Sequence, residues 1–167
     1  GPKAGGPCYL ARFFAPEPGI AGEDWAKAAD LPAIAEQPRR IAEETMPGPT
    51  GELNRLSLLS RGPILCLGPS AGAAAAQVAA VERLGGQAVA VRGKIDPQAL
   101  ETASGFSAAL WWGDADQGRA YAQALARRSG PILPLICAQP DRAHVAHERH
   151  LCVDTTAAGG NAALLAG

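Results

Sequence analysis

The sequence predicts an α/β domain: a Rossmann-like open parallel sheet with helices on both faces, joined to a β-hairpin and a C-terminal flap. Three observations carry this expectation. Between residues 63 and 137, short apolar runs alternate with longer helix-like segments, the strand–helix rhythm of a parallel sheet. The runs are apolar throughout and bounded by Gly or Pro, as strands covered on both faces must be. The chain's 167 residues, 47% apolar and 19% charged, suffice to bury one core.

Residues 1–20 are a Gly/Pro-rich arm whose apolar patch, Tyr9 to Phe14, needs a partner surface. It opens on Gly1-Pro2-Lys3-Ala4 with neither initiator Met nor helix cap, and is expected to be the end of a preceding unit of a longer polypeptide. Residues 21–49 read as a helical linker. Across 22–44, Trp25, Ala28, Ala29, Ile34 and Ile41 supply an apolar face, and Pro32 and Pro38 divide it into two or three short helices. Met46 to Gly51 is a turn cluster.

Residues 50–149 then form the Rossmann-like unit. Glu52 to Ser60 is a strand, and Pro63 to Leu67 a buried parallel strand between Gly62 and Gly68. Residues 71–84 are an Ala-rich helix stopped by Gly85-Gly86. Ala88 to Val91 is the next buried strand, and 96–103 a short helix with Asp96 as cap and Pro97 in its first turn. Ala108 to Trp112 is a third parallel strand, in which Trp111 and Trp112 point to opposite faces. Asp114 to Ser129 is a helix capped by Asp114 and closed by Gly130. Pro131 to Cys137 is the fourth strand, and Pro134, without an N–H, places it at an edge or bulge. Residues 150–167 are a C-terminal strand and flap: a strand from His150 to Thr156, a turn at Gly159-Gly160, and the apolar end Leu164-Leu165.

Composition excludes several classes. A net charge of −1 offers no footprint for nucleic acid or an anionic membrane. No run of 18 apolar residues is present to span a membrane, and without a Lys/Arg-led apolar segment no secretion signal is expected. Cys8, Cys66, Cys137 and Cys152 lack CxxC spacing, and Cys66 and Cys137 sit in apolar runs, so reduced, buried thiols of a cytoplasmic protein are expected.

Three chemistries have candidate residues. Gly68 to Gly72 ends a strand and opens a helix, where a dinucleotide phosphate docks in related folds. The G-x-G-x-x-G fingerprint is missing, Pro69 removes a donor, and the next strand ends at Val91-Arg92 rather than at an acidic residue. A catalytic thiol needs an accessible thiolate beside a base and an oxyanion site, which none of the four cysteines is placed to have. His144, His147 and His150 recur every third residue, but His147 to His150 reads H-E-R-H rather than H-E-x-x-H, and surface histidines in a loop are expected. No catalytic, cofactor-binding or metal residue is assigned.

Three stretches carry a resemblance. GPKAGGPCYLARF (residues 1–13), PGPTGELNRLSLLSRGPILCLGP (47–69) and RHLCVDTTAAGGNAALL (149–165) resemble, in that order, segments of the proline utilization A family. The first is similar to the end of its aldehyde dehydrogenase module. The second is similar to the hairpin and first strand of the extra domain in long members, and the third to their C-terminal motif. Asp154 stands where Asn is typical and Ala163 where Ser is typical.

The resemblance implies a bifunctional protein that oxidises proline to glutamate with FAD and NAD. This segment would be a non-catalytic domain, holding no cofactor itself, that covers the aldehyde dehydrogenase module and helps close the tunnel of the intermediate. Its docking flap would be Val153, Asp154, Thr155, Thr156, Ala157, Ala158, Gly159, Gly160 and Asn161. The expected partner is the aldehyde dehydrogenase module of the same or a neighbouring polypeptide, with a homo-oligomer through the flap as a further arrangement. An independent nucleotide-binding enzyme domain and an oligomerisation module stand as alternatives.

Overall fold

A computed structural model of the chain describes residues 31–32, 34, 39–49 and 51–154. In chain order its elements are β1 (Arg40–Met46), β2 (Glu52–Ser60), β3 (Ile64–Cys66), α1 (Ala71–Arg83), β4 (Ala88–Ala90), α2 (Ala99–Thr102), β5 (Ala108–Leu110), α3 (Ala115–Ala126), β6 (Leu135–Ile136), α4 (Arg142–Val145) and β7 (Ala146–Asp154).

The apolar runs make a parallel sheet in the order β4-β3-β5-β6. Leu65 lies opposite Val89 on one side and Ala109 on the other. Alternation along the strands sorts the core onto two faces. Ile64, Cys66, Ala108 and Leu110 pack with Ala80 and Val81 of α1. Leu65, Leu67 and Ala109 pack with Leu100 of α2 and with Tyr121, Ala124 and Leu125 of α3. Helices therefore cover both faces, as expected. The two tryptophans divide between them: Trp111 meets Tyr121 edge-on at 5.2 Å, while Trp112 joins the α1 face. Both are buried in the core.

Local chemistry sets the helix ends. The Ser70 hydroxyl accepts the Ala73 N–H at 3.1 Å to cap α1, and Asp114 Oδ1 accepts the Gln117 N–H at 2.8 Å to cap α3. Gly85, at φ 82°, ends α1, and the Arg39 guanidinium donates to its carbonyl at 2.7 Å, a cation on a helix C-terminus. Ahead of α2, Asp96 Oδ1 takes the Gln98 N–H at 2.9 Å across a turn. The helix itself begins only at Ala99, with Gln98 at its cap position and no side-chain cap bond, so Asp96 caps the turn rather than the helix. β6 shrinks to two residues on the sheet edge, and the Pro134 carbonyl just ahead of it still accepts the Ala109 N–H at 3.0 Å.

A second sheet is antiparallel, in the order β1-β2-β7. This corrects the helical reading of residues 40–44. Arg40–Met46 is a strand whose residues from Ala42 to Met46 pair with Leu58 to Asn54 of β2. The Ile34/Ile41 spacing suits a helix, but the Pro47–Gly51 turn returns the chain alongside itself, and ladder bonding to β2 outweighs weak local propensity. Ahead of β1 the described linker residues are Leu31, Pro32, Ile34 and Arg39, with Leu31 and Ile34 packed on the α2/α3 face. β7 begins at Ala146, four residues before the expected strand start, and pairs with all nine residues of β2, from Ser60↔Ala146 to Glu52↔Asp154. The sheet is anchored at one end, where Leu58, Val145 and Ala146 enter the α1-face core.

Gly68 follows β3 at φ 90°, a left-handed conformation that costs a side chain dearly. Gly68→Val should destabilise the fold by about 1–3 kcal/mol. Thermal unfolding checks this; an unchanged midpoint would refute the conformation.

Candidate functional site

In an open α/β sheet the natural ligand crevice lies beyond the strand ends, where the chain leaves neighbouring strands in opposite directions. Here that point lies between β3 and β5, facing the start of α1. At Gly68 the backbone is already bonded internally. Gln77, a fully buried residue of α1, accepts the Gly68 N–H on Oε1 at 3.0 Å and donates from Nε2 to the Gly68 carbonyl at 2.8 Å. The same carbonyl accepts the Trp112 N–H at 3.2 Å, continuing the β3–β5 ladder past Leu67→Leu110 at 2.9 Å. Pro69 has no N–H to offer, and Arg92, beyond β4, is exposed. This turn departs from a dinucleotide fork in three ways: the Gly68 N–H is taken by Gln77, Pro69 has no N–H, and Arg92 rather than a carboxylate follows β4.

The cysteines divide differently from the expectation. Cys66 is buried in β3, and burial pushes its thiol up to about 12. Cys137 and Cys152 are exposed, which corrects the expectation of buried thiols. For Cys137 the reason is geometric: β6 ends at Ile136, so its neighbour leaves the apolar run. The three described cysteines are free. Cys8 lies outside the described residues. The Cys152 thiol donates to Glu52 Oε1 at 2.9 Å across the β2–β7 pair; that bond raises its pKa most, followed by desolvation and then by the charge of the carboxylate. A carboxylate beside a thiol opposes thiolate formation, the reverse of what activates a nucleophile.

The histidines do not converge, and two of the three lie in a strand rather than a loop. His144 belongs to the α4 capping box: its Nδ1 accepts the Asp141 N–H at 3.0 Å, while Asp141 Oδ1 accepts the His144 N–H at 3.1 Å. His147 and His150 stand three residues apart on β7 and so point to opposite faces. Among the described residues no group of three His, Cys, Asp or Glu side chains is placed to hold a metal.

Of the expected flap, Val153 and Asp154 are the last residues of β7, opposite Leu53 and Glu52; residues 155–161 lie outside the described residues. Leu53, Leu151 and Val153 share one face of the antiparallel sheet and are 48%, 42% and 40% exposed, an uncovered apolar strip near the hairpin tip. Beyond β7 the sheet has no further described strand. Sequence reasoning missed this strip and Gln77. The signals were present: alternation along Glu52–Ser60 puts Leu53 on the face away from Leu58, and Gln77 is the single polar residue on the buried stripe of α1.

No family model matches the chain. Over 221 aligned residues it is 32% identical to the bifunctional protein PutA of Escherichia coli, covering 99% of this chain and 17% of that protein. Bifunctional protein PutA of Rhizobium meliloti is 32% identical over 213 residues, again 99% and 17% of the two chains. The chain matches PutA proteins along 99% of its length. It spans about 17% of the length of these PutA relatives. A crystal structure of a Bradyrhizobium japonicum PutA mutant is 25% identical with a TM-score of 0.45, covering 56% of this chain and 13% of that one. Among the described residues no helix is long and apolar enough to cross a membrane.

At the hairpin tip, Glu52→Gln should speed alkylation of Cys152 at pH 8, because removing the carboxylate lets the thiolate form at lower pH. Rates measured with iodoacetamide, with Cys137 replaced by Ser, check this; slower or unchanged labelling would contradict the Glu52–Cys152 contact.

Proposed function

We propose that this chain is the non-catalytic C-terminal domain of a long bifunctional PutA protein, acting as a docking and lid element. In this reading the whole protein is cytoplasmic and oxidises proline to glutamate, with FAD serving the first step and NAD the second. The present domain covers the aldehyde dehydrogenase module and helps seal the tunnel through which the intermediate passes. The observation that carries the reading is similarity to bifunctional PutA proteins along 99% of the chain. The geometry supports it in two ways. At Gly68, on the crevice where a nucleotide would bind, the backbone is bonded internally through Gln77. The antiparallel sheet carries an outer strand, β7, and an exposed strip of Leu53, Leu151 and Val153, features suited to accepting a partner by strand addition.

The flap, Val153 to Asn161, begins in the last two residues of that strand and in this reading meets the dehydrogenase module of the same or a neighbouring polypeptide. An oligomerisation module is the second reading that the exposed strip favours, since two copies of the strip would cover each other; light scattering of the isolated chain separates the two.

Two outcomes are expected. The isolated chain should reduce no NAD with glutamate semialdehyde above the protein-free background; turnover abolished by mutating a cysteine of this chain would overturn the non-catalytic assignment. In the full-length protein, truncation after Asp154 keeps β7 and removes the rest of the flap. It should impair aldehyde oxidation and introduce a lag in the coupled reaction, while flavin-dependent proline oxidation stays near normal. Unimpaired coupled turnover without a lag would refute the lid role.

A further inference from the structure

Gln77 is the one fully buried polar side chain of α1, and its placement is not explained by packing alone. Its neighbours on the buried stripe are Ala73, Ala74, Ala80 and Val81. An aliphatic residue there would pack as well, and burying an amide costs free energy unless each polar atom is bonded. Both Gln77 atoms are bonded, and both to the same residue: Oε1 to the Gly68 N–H at 3.0 Å and Nε2 to the Gly68 carbonyl at 2.8 Å. The amide thus completes a ring with the backbone of the turn that leaves the central strand.

That residue is also where the β3–β5 pairing is carried one step further, through Trp112 N–H to the Gly68 carbonyl at 3.2 Å. Trp112 is fixed in turn, its indole N–H donating to the Ala138 carbonyl at 3.0 Å. The two strand exits that would part to form a ligand crevice are therefore tied together at Gly68.

We infer that Gln77 is an internal ligand: it occupies both Gly68 backbone groups, which a ligand at the β3 exit would otherwise meet, and ties that exit to α1. This rests on the reading of the domain as scaffold rather than nucleotide site, and it names the residue responsible. Gln77 is a positioning residue acting through the turn, so its test must separate a specific hydrogen-bonded latch from simple filling of space.

The substitution Gln77→Glu makes that separation. When protonated, the introduced carboxyl group reproduces both bonds, accepting from the Gly68 N–H and donating to the Gly68 carbonyl. When ionised it loses the donor and places a buried charge against that carbonyl. Burial raises the folded-state pKa of such a group, so the Gln77→Glu chain should be most stable below the ordinary carboxylate range and lose stability as pH rises toward neutrality. The apolar isostere Gln77→Met should show no such pH dependence relative to the unaltered chain.

Amide exchange followed by NMR gives the local readout. In the unaltered chain the Gly68 N–H should be protected. In Gln77→Met it should exchange at least about tenfold faster while the Leu65 and Leu110 amides keep their protection. A Gly68 amide exchanging like a solvent-exposed one in the unaltered chain would overturn the inference. So would equal acceleration across the whole sheet in Gln77→Met, or a Gln77→Glu stability profile parallel to that of Gln77→Met. These outcomes are independent of the lid role, which stands or falls on the truncation after Asp154.

Discussion

Strand β3 has no water on either face. Ile64, Leu65 and Cys66 are 1%, 0% and 0% exposed, and their backbone N–H and C=O groups must find partners within the protein. β4 and β5 supply them, pairing in parallel on either side with Leu65 between Val89 and Ala109. The rest of the parallel unit follows from this constraint. A strand buried on both faces needs a helix layer on each, and the Ala-rich stripe of α1 comes close enough to cover one. The other is closed by α2 and α3, locked to each other by the Arg127–Glu101 pair at 2.8 Å and by Arg128, which stacks on Phe106 and donates to the Leu100 carbonyl.

The same constraint shapes the strand exit. Where β3 runs out at Leu67 and Gly68, the chain is still buried, and its polar groups still need partners. Gln77 and the Trp112 N–H provide them at Gly68. A fold whose strand ends are commonly left open for a phosphate has here turned those groups on itself.

The antiparallel sheet follows a different logic. It is held to the body at the Ser60/Ala146 end and extends from it along nine paired residues. Toward the tip, Leu53, Leu151 and Val153 lie uncovered on one face. The tip also sets Glu52 directly opposite Asp154, a like-charge pair that raises the Glu52 pKa in part, while bonds from Cys152 first and then Asn54 lower it and prevail.

Sequence alone determined the parallel unit. Apolar runs bounded by Gly and Pro, Asp114 as a cap, Gly85 as a stop and Pro134 at an edge are local signals whose physics acts within a few residues, whereas α3 ends at Ala126, ahead of the expected stop at Gly130. Tertiary structure decided what depends on distant partners. Arg40–Met46 is a strand because β2 is beside it, β7 starts at Ala146 because β2 is nine residues long, and Cys137 is exposed because its strand stops early. Gln77 in the sequence is only a polar residue in an Ala-rich helix; its role exists because the turn after β3 folds back over α1. Hydrogen bonds between residues far apart in the chain leave no periodic trace, and that is why the sheet order of the arm and the bonding of the β3 exit to α1 were visible only in three dimensions.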